Sequence, residues 1–185
     1  MNKILFAVFT ASALFVSAEV SGAALDFEGN AKPAKWFQYP LGKGIKTVLS
    51  AEKLDNKSVM EIDFRPSSGH SRIQMPQMGK EFVSVSFKVK GLPDAKRKSI
   101  DLMLVETDKA GAEKYYKTLK FNGEWQTFTL KEADFKIFPY GGSKIVDRKM
   151  DLKNLQYFQF NAYPGGSHFL ISDIQVEYKD AVPTE

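Results

Sequence analysis

The chain has no cysteine, only two histidines and no apolar run long enough to cross a bilayer, and each shortage closes off a class of function. Without cysteine there is no disulfide, no thiolate metal site and no lipid anchor on a leader cysteine. With His70 and His168 alone, and with no Gly-x-Ser-x-Gly, His-Glu-x-x-His or phosphate-loop motif, the common hydrolase, metalloprotease and nucleotide chemistries are missing. Helical periodicity is absent too, since no window of useful length repeats every 3.6 residues.

The one sustained apolar stretch, residues 4–16, follows Met1-Asn2-Lys3 and reads as the n-region and h-region of a secretory signal. It is too short for a transmembrane helix, which needs about 20 apolar residues. Small residues at Val16-Ser17-Ala18 and Ser21-Gly22-Ala23 offer two cleavage points, giving a mature start at Glu19 or Ala24. Ala24 is expected, because the fold pattern starts at Leu25. The organisation is then a signal peptide over 1–23, one domain over 24–178 and a disordered tail over 179–185. Export ends in the periplasm or outside the cell.

An exported domain without disulfides depends on its core, and 43% hydrophobic content suffices for one of ordinary size. The net charge of +4 comes from scattered lysines, and the single tight cluster, Lys96-Arg97-Lys98, reads as a solvated loop. Nucleic acid is not an expected partner. By charge alone, an acidic polysaccharide or a membrane surface stays open.

What the chain does have is alternation. Met60, Ile62 and Phe64 oppose Glu61 and Asp63, and Val83, Val85, Phe87 and Val89 oppose Ser84, Ser86, Lys88 and Lys90. Further strands are expected over 72–76, 99–107, 113–120, 125–130, 155–162 and 168–178. Turn residues separate them, at Pro66-Ser67-Ser68-Gly69, Gly91-Leu92-Pro93-Asp94, Asp108-Lys109-Ala110-Gly111, Asn122-Gly123 and Pro164-Gly165-Gly166. Eight or nine such strands specify an all-β fold, an antiparallel two-sheet sandwich. The parity slips between Phe169/Ile171 and Ile174/Val176/Tyr178, which predicts a bulge near Ser172-Asp173.

In 155–162, Phe158, Phe160 and Ala162 take the core parity, leaving Tyr157, Gln159 and Asn161 in a row on the outer face. A tyrosine ring suits the apolar face of a sugar, and amides match hydroxyl pairs with both donors and acceptors. Arg72 and Gln74 face outward by the same logic, because Ile73 and Met75 want the core. One of Tyr115 and Tyr116 must face out. Tyr39 and Tyr140 sit in loops that either rim a cleft or pack beneath one, and Phe138-Pro139-Tyr140-Gly141-Gly142 has the composition of a lid.

Collinear features resemble a known group: Asp26-Phe27-Glu28-Gly29, the lone Trp36, Phe87-Lys88-Val89-Lys90-Gly91, Gly123-Glu124-Trp125 through Leu130, Ala133-Asp134-Phe135, the Leu152-Leu155-Phe158-Phe160 series and Phe169 through Ile174. Together they are similar to galactose-binding-like (jelly-roll) domains, especially family 11-type carbohydrate-binding modules and complex I intermediate-associated protein domains. The resemblance implies a glycan-binding concave sheet that also includes 99–107 and 125–130, adding Asp101, Met103, Thr127 and Thr129 to the face. Met103 and Val105 are less polar than such a cleft usually wants. It also implies a structural Ca²⁺ held by Glu28 and Asp173, the alternative being an ordinary salt bridge or capped turn. Trp125 is expected as a buried or half-buried anchor.

Two enzymatic readings compete for the same residues. Glu61-Ile62-Asp63-Phe64 starts like a sandwich glycosidase strand, but Arg65 and Pro66 stand where the further carboxylate belongs. The stretch from Tyr157 to Tyr163 faintly resembles a jelly-roll polysaccharide lyase, yet His70 in a turn and His168 at a strand start fall off the Tyr157 row. The sequence therefore favours a non-catalytic carbohydrate-binding protein. The rival is a structural or assembly protein of the cell envelope that uses the same sheet against a protein partner.

Overall fold

The computed structural model describes residues 20–39, 44–106, 113–139 and 148–180. The leader through residue 19, the Asp108-to-Gly111 turn, the Tyr140-Gly141-Gly142 end of the lid and the tail from 181 lie outside the described residues.

Twelve strands occur among the described residues: β1 (Val20–Ala24), β2 (Phe37–Tyr39), β3 (Lys46–Leu54), β4 (Lys57–Asp63), β5 (Gly69–Gln74), β6 (Glu81–Gly91), β7 (Ser99–Glu106), β8 (Lys114–Lys120), β9 (Gln126–Lys131), β10 (Lys136–Ile137), β11 (Leu155–Ala162) and β12 (His168–Lys179). They form two antiparallel sheets packed face to face as a jelly-roll sandwich, as the alternation and the resemblance both imply. The first sheet runs β3-β4-β12-β6-β9, with β1 paired to the far half of β12. The second runs β10-β8-β7-β11-β5-β2.

Period-two parity sets what each strand buries. Phe158, Phe160 and Ala162 of β11, and Val85, Phe87 and Val89 of β6, all point into the core. Phenylalanine rings lock the sheets together: Phe87 meets Phe158 at 5.9 Å nearly edge-on, Phe158 meets Phe160 at 5.2 Å, and Phe160 meets Phe169 at 5.3 Å. Each such pair contributes about 0.5–1.5 kcal/mol beyond the area it buries. The expected parity slip is present. The β12 register shifts between Ser172 and Gln175 with Asp173 at φ 61°, so Ile171 and Ile174 are both buried.

Two turns fix the edge of the first sheet and the crossing from β11 to β12. Asp55 and Asn56, at φ 50° and 62°, make the tight β3–β4 hairpin that alternation alone did not reveal. Gly165 lies so close to the Ser67 and Phe64 carbonyls that a Cβ would meet them at 2.6 and 2.8 Å. No larger residue fits there, and the Tyr163 loop is pinned accordingly. Arg97 adds hydrogen bonds to the Tyr163 and Pro164 carbonyls at 3.1 and 3.4 Å.

One expected placement is corrected here. The 125–130 strand, assigned to the ligand sheet, is β9 at the edge of the first sheet. Alternation tells which side chains face out but not which sheet carries them; β9 pairs with β6 (Phe128 opposite Phe87), and that pairing is long-range.

Candidate functional site

The outer face of the second sheet is a set of cross-strand rows. One row reads Phe37, Arg72, Gln159, Met103, Tyr116; the next reads Tyr39, His70, Asn161, Asp101, Thr118; a third reads Gln74, Tyr157, Val105, Lys114. Five of the expected ligand residues, Arg72, Gln74, Tyr157, Gln159 and Asn161, therefore share this face, and Asp101 joins them. Thr127 and Thr129 do not. They are exposed on β9, on the outer face of the opposite sheet.

A cleft of about 630 Å³ opens over the middle of these rows, within the range of small-ligand sites. Its floor is Met103, Gln159, Asn161 and Asp101, and its walls are Tyr39, His70 and Tyr163 with Tyr116, Phe138 and Pro139; Lys114 also lines it. Gln159 and Asn161 are only 2% and 4% exposed. The Gln159 amide donates to Met103 Sδ at 3.3 Å, a weak acceptor, and the Asn161 side chain has no protein partner among the described residues. The unpaired atoms of these amides are not sealed off, so water or another molecule in the cleft can hydrogen-bond to them.

The aromatic walls rise from local packing. Trp36 stacks on Phe160 at 6.2 Å and donates Nε1–H to the Ala31 carbonyl at 2.9 Å, so it anchors the chain just before β2. The next outward residues, Phe37 and Tyr39, then stand at the edge of the cleft, and Tyr39 stacks on His70 at 5.4 Å. Across the cleft Tyr116 meets Phe138 edge-on at 5.6 Å, while Tyr115 turns inward and donates its hydroxyl to Glu113 at 3.2 Å. Of the adjacent tyrosines, Tyr116 is the outward one. Tyr39 and Tyr163 keep 51% of their surface exposed at the mouth of the cleft.

Tyr157, Arg72 and Phe37 pack against one another on this face, outside the cleft lining. Arg72 lies between the Tyr157 ring and Phe37, with the guanidinium carbon 4.4 and 4.8 Å from the two centroids. Neither Tyr157 nor Arg72 lines the cleft, and the Tyr157 ring packs against the Arg72 guanidinium. Gln74 lies outside the cleft as well, donating to Met78 Sδ at 3.1 Å. His70, expected in a turn and off the face, is the second residue of β5, beside Asn161. The strand starts as soon as the Pro66-to-Gly69 turn ends.

Electrostatics divide the cleft. Burial, helped by the Arg72 and Lys114 charges, pushes the His70 imidazole down to about 4, so at neutral pH it is uncharged, with one nitrogen to donate and one to accept. Burial and then the Arg72 charge also hold Lys114 below its usual value. Asp101 sits in the next row and accepts from Thr118 Oγ1 at 2.6 Å.

The residues with a claim to catalysis are engaged elsewhere. Both Asp63 oxygens accept from Arg65, at 2.7 and 2.9 Å, and a Glu61 carboxylate oxygen lies 2.9 Å from His168 Nε2. His168 Nδ1 meets Asp94 at 2.6 Å, so this histidine is a buried tie between carboxylates in the first sheet.

The pair expected to hold Ca²⁺ does come near the junction of the first and last strands, where Leu25 N–H donates to the Ile174 carbonyl at 2.9 Å. The donor set does not fit a calcium ion. Glu28 accepts from Lys53 Nζ at 2.8 Å and from Ser58, while Asp173 accepts from Lys57 with Lys88 Nζ at 3.7 Å. Lysines already neutralise both carboxylates, and no group of three or more His, Cys, Asp or Glu residues able to hold a metal occurs among the described residues.

No protein-family model matches the sequence, and no curated protein matches it. Solved structures do share its fold. The family 11 carbohydrate-binding module from Clostridium thermocellum in complex with a β-1,3-1,4-mixed-linked tetrasaccharide aligns at TM-score 0.68 and 20% identity, over 84% of this chain and 94% of that one. The family 11 module of the cellulase Lic26A-Cel5E from the same organism aligns at 0.69 and 19%, over 91% and 100%. A xylan-binding domain from family 22 aligns more loosely, at 0.54 and 12%, over 87% and 96%. The likeness to family 11 modules is one of jelly-roll architecture.

Proposed function

We propose that the protein is an exported, non-catalytic carbohydrate-binding protein, which takes a polysaccharide or oligosaccharide into the cleft on the second sheet. The observation that carries this reading is the floor: two buried amides, Gln159 and Asn161, lie between facing aromatic walls with almost no protein partner. Sugar hydroxyls come in pairs that donate and accept, and pyranose rings present C–H faces to aromatic rings. A cleft that combines both, with no paired carboxylates among its described residues, suits binding without bond cleavage. The structural neighbours that are carbohydrate-binding modules support the same reading.

Calorimetric titration against glucan, mannan, xylan and uronate oligosaccharides tests it. At least one should bind, and Asn161→Ala and Tyr39→Ala should each weaken that binding about tenfold or more, in line with the loss of one buried hydrogen bond or one stacked ring. If none of the four classes binds, the face serves instead as a contact for a protein of the envelope. Export itself is tested by the mass of the secreted chain. Cleavage after Ala18 keeps β1 in the mature protein, and cleavage after Ala23 removes it.

A further inference from the structure

The charges of the cleft point to the class of glycan. Along the first sheet, lysines are matched with acids: Lys53 with Glu28, Lys57 with Asp173, Lys88 with Asp55, Lys90 with Glu52. On the ligand face, Arg72 and Lys114 have no carboxylate within 4.0 Å among the described residues. Neither is a fully solvated surface charge. The Arg72 guanidinium lies between Phe37 and Tyr157, and its Nε is buried with no hydrogen-bond partner. Lys114 is half-buried on the same face, on β8, with β7 and β11 between it and the Arg72 strand.

We propose that the cleft is selective for an acidic glycan, with a uronate carboxylate held by Lys114 in the lining and with Arg72, on the same face in the Met103–Gln159 row, adding positive charge from outside the lining. The inference rests on the carbohydrate-binding reading and narrows it. The Phe37 and Tyr157 rings, with centroids 4.8 and 4.4 Å from its carbon, hold the guanidinium in place, so its charge stays on this face. Lys114 adds a point charge that burial has deprived of water, and a carboxylate there relieves a penalty that a neutral hydroxyl leaves in place. His70, uncharged at neutral pH, supplies a hydrogen bond to a neighbouring hydroxyl. Asp101 lies two residues further along β7, roughly 7 Å at strand spacing, and repels a second carboxylate from that position. The cleft thus has a cationic end and an acidic end, so the ligand's acid group binds at one subsite and hydroxyls bind at the other.

The test uses the full-length chain and three matched ligands: an oligouronide, the same oligosaccharide with its carboxyls reduced to primary alcohols, and a neutral β-glucan oligomer. The uronide should bind at least tenfold more tightly than its reduced form and should weaken as salt is raised. Lys114→Met should abolish the difference between the two, and Lys114→Arg should retain most of it. Equal affinity for uronide and reduced form, or a Lys114→Met variant that still discriminates, overturns the acidic-glycan proposal while leaving carbohydrate binding intact. Failure of all three ligands to bind overturns the carbohydrate reading as well.

Discussion

The two outer faces of this sandwich are built from the same alternation yet differ in how their polar groups are matched. On the first sheet, long charged side chains pair with one another in water: Lys53 with Glu28, Lys90 with Glu52, Lys179 with Glu81. Trp125, the other tryptophan, joins that face half-buried, donating to Glu52 at 3.1 Å under Lys90. On the second sheet the polar groups are short amides sunk between rings, and two cations lack acidic partners among the described residues. A solvated face satisfies itself. The face of the second sheet leaves polar groups to be satisfied from outside the protein.

The comparison breaks most sharply at Trp36. Replacing it with Ala removes the stack on Phe160 and the hydrogen bond to Ala31, which should cost about 3–5 kcal/mol by denaturant unfolding. Because it anchors β2, glycan affinity should fall with it.

A smaller effect comes from His70 through pH. The unfolded imidazole takes up its proton near 6.5, whereas the folded one resists until about 4, so the unfolded state binds more protons in between. The stability is full above pH 6.5 and is lost as pH falls toward 4, by about 2 kcal/mol once partial solvent screening is allowed for. His70→Gln should flatten that stretch of the stability–pH curve. An unchanged slope would mean that His70 is not the group responsible.

Smaller still are changes on the first sheet. Lys53→Ala should shift stability by less than about 1 kcal/mol, as exposed ion pairs generally do, and should leave ligand affinity unaltered. The double variant Thr127→Ala/Thr129→Ala should also leave affinity unaltered, and a clear loss there would move the ligand to the first sheet. Adding EDTA and then excess Ca²⁺ should leave the melting temperature where it was, because lysines serve Glu28 and Asp173; a rise with Ca²⁺ would show that the carboxylates can exchange an ammonium for the ion.

Much of the fold was readable along the chain for a local reason. Hydrophobic parity is decided residue by residue, so the inward turn of Phe158 and Phe160, the outward turn of Gln159 and Asn161, and the bulge beside Asp173 were all legible. The site was legible only in its floor. Tyr39 is contributed by a short edge strand, Phe138 by the segment beside β10 and Tyr163 by a loop that Arg97 and Gly165 hold in place, and these meet only through sheet order. His70 was hidden by the turn signal just before it. Thr127 and Thr129 were misassigned because a strand's sequence records a buried side and an exposed side, and two sheets offer both.

The sequence by itself determined an antiparallel all-β sandwich and the row of amides that it turns outward, because side-chain alternation is enforced by strand geometry wherever the strand lies. Tertiary structure decided which strands share a sheet, that Tyr157 packs against Arg72 outside the cleft lining, and which charges find partners. Those depend on distances between residues far apart in the chain. Charge on a side chain is written in the sequence, but whether it is matched is a property of the fold.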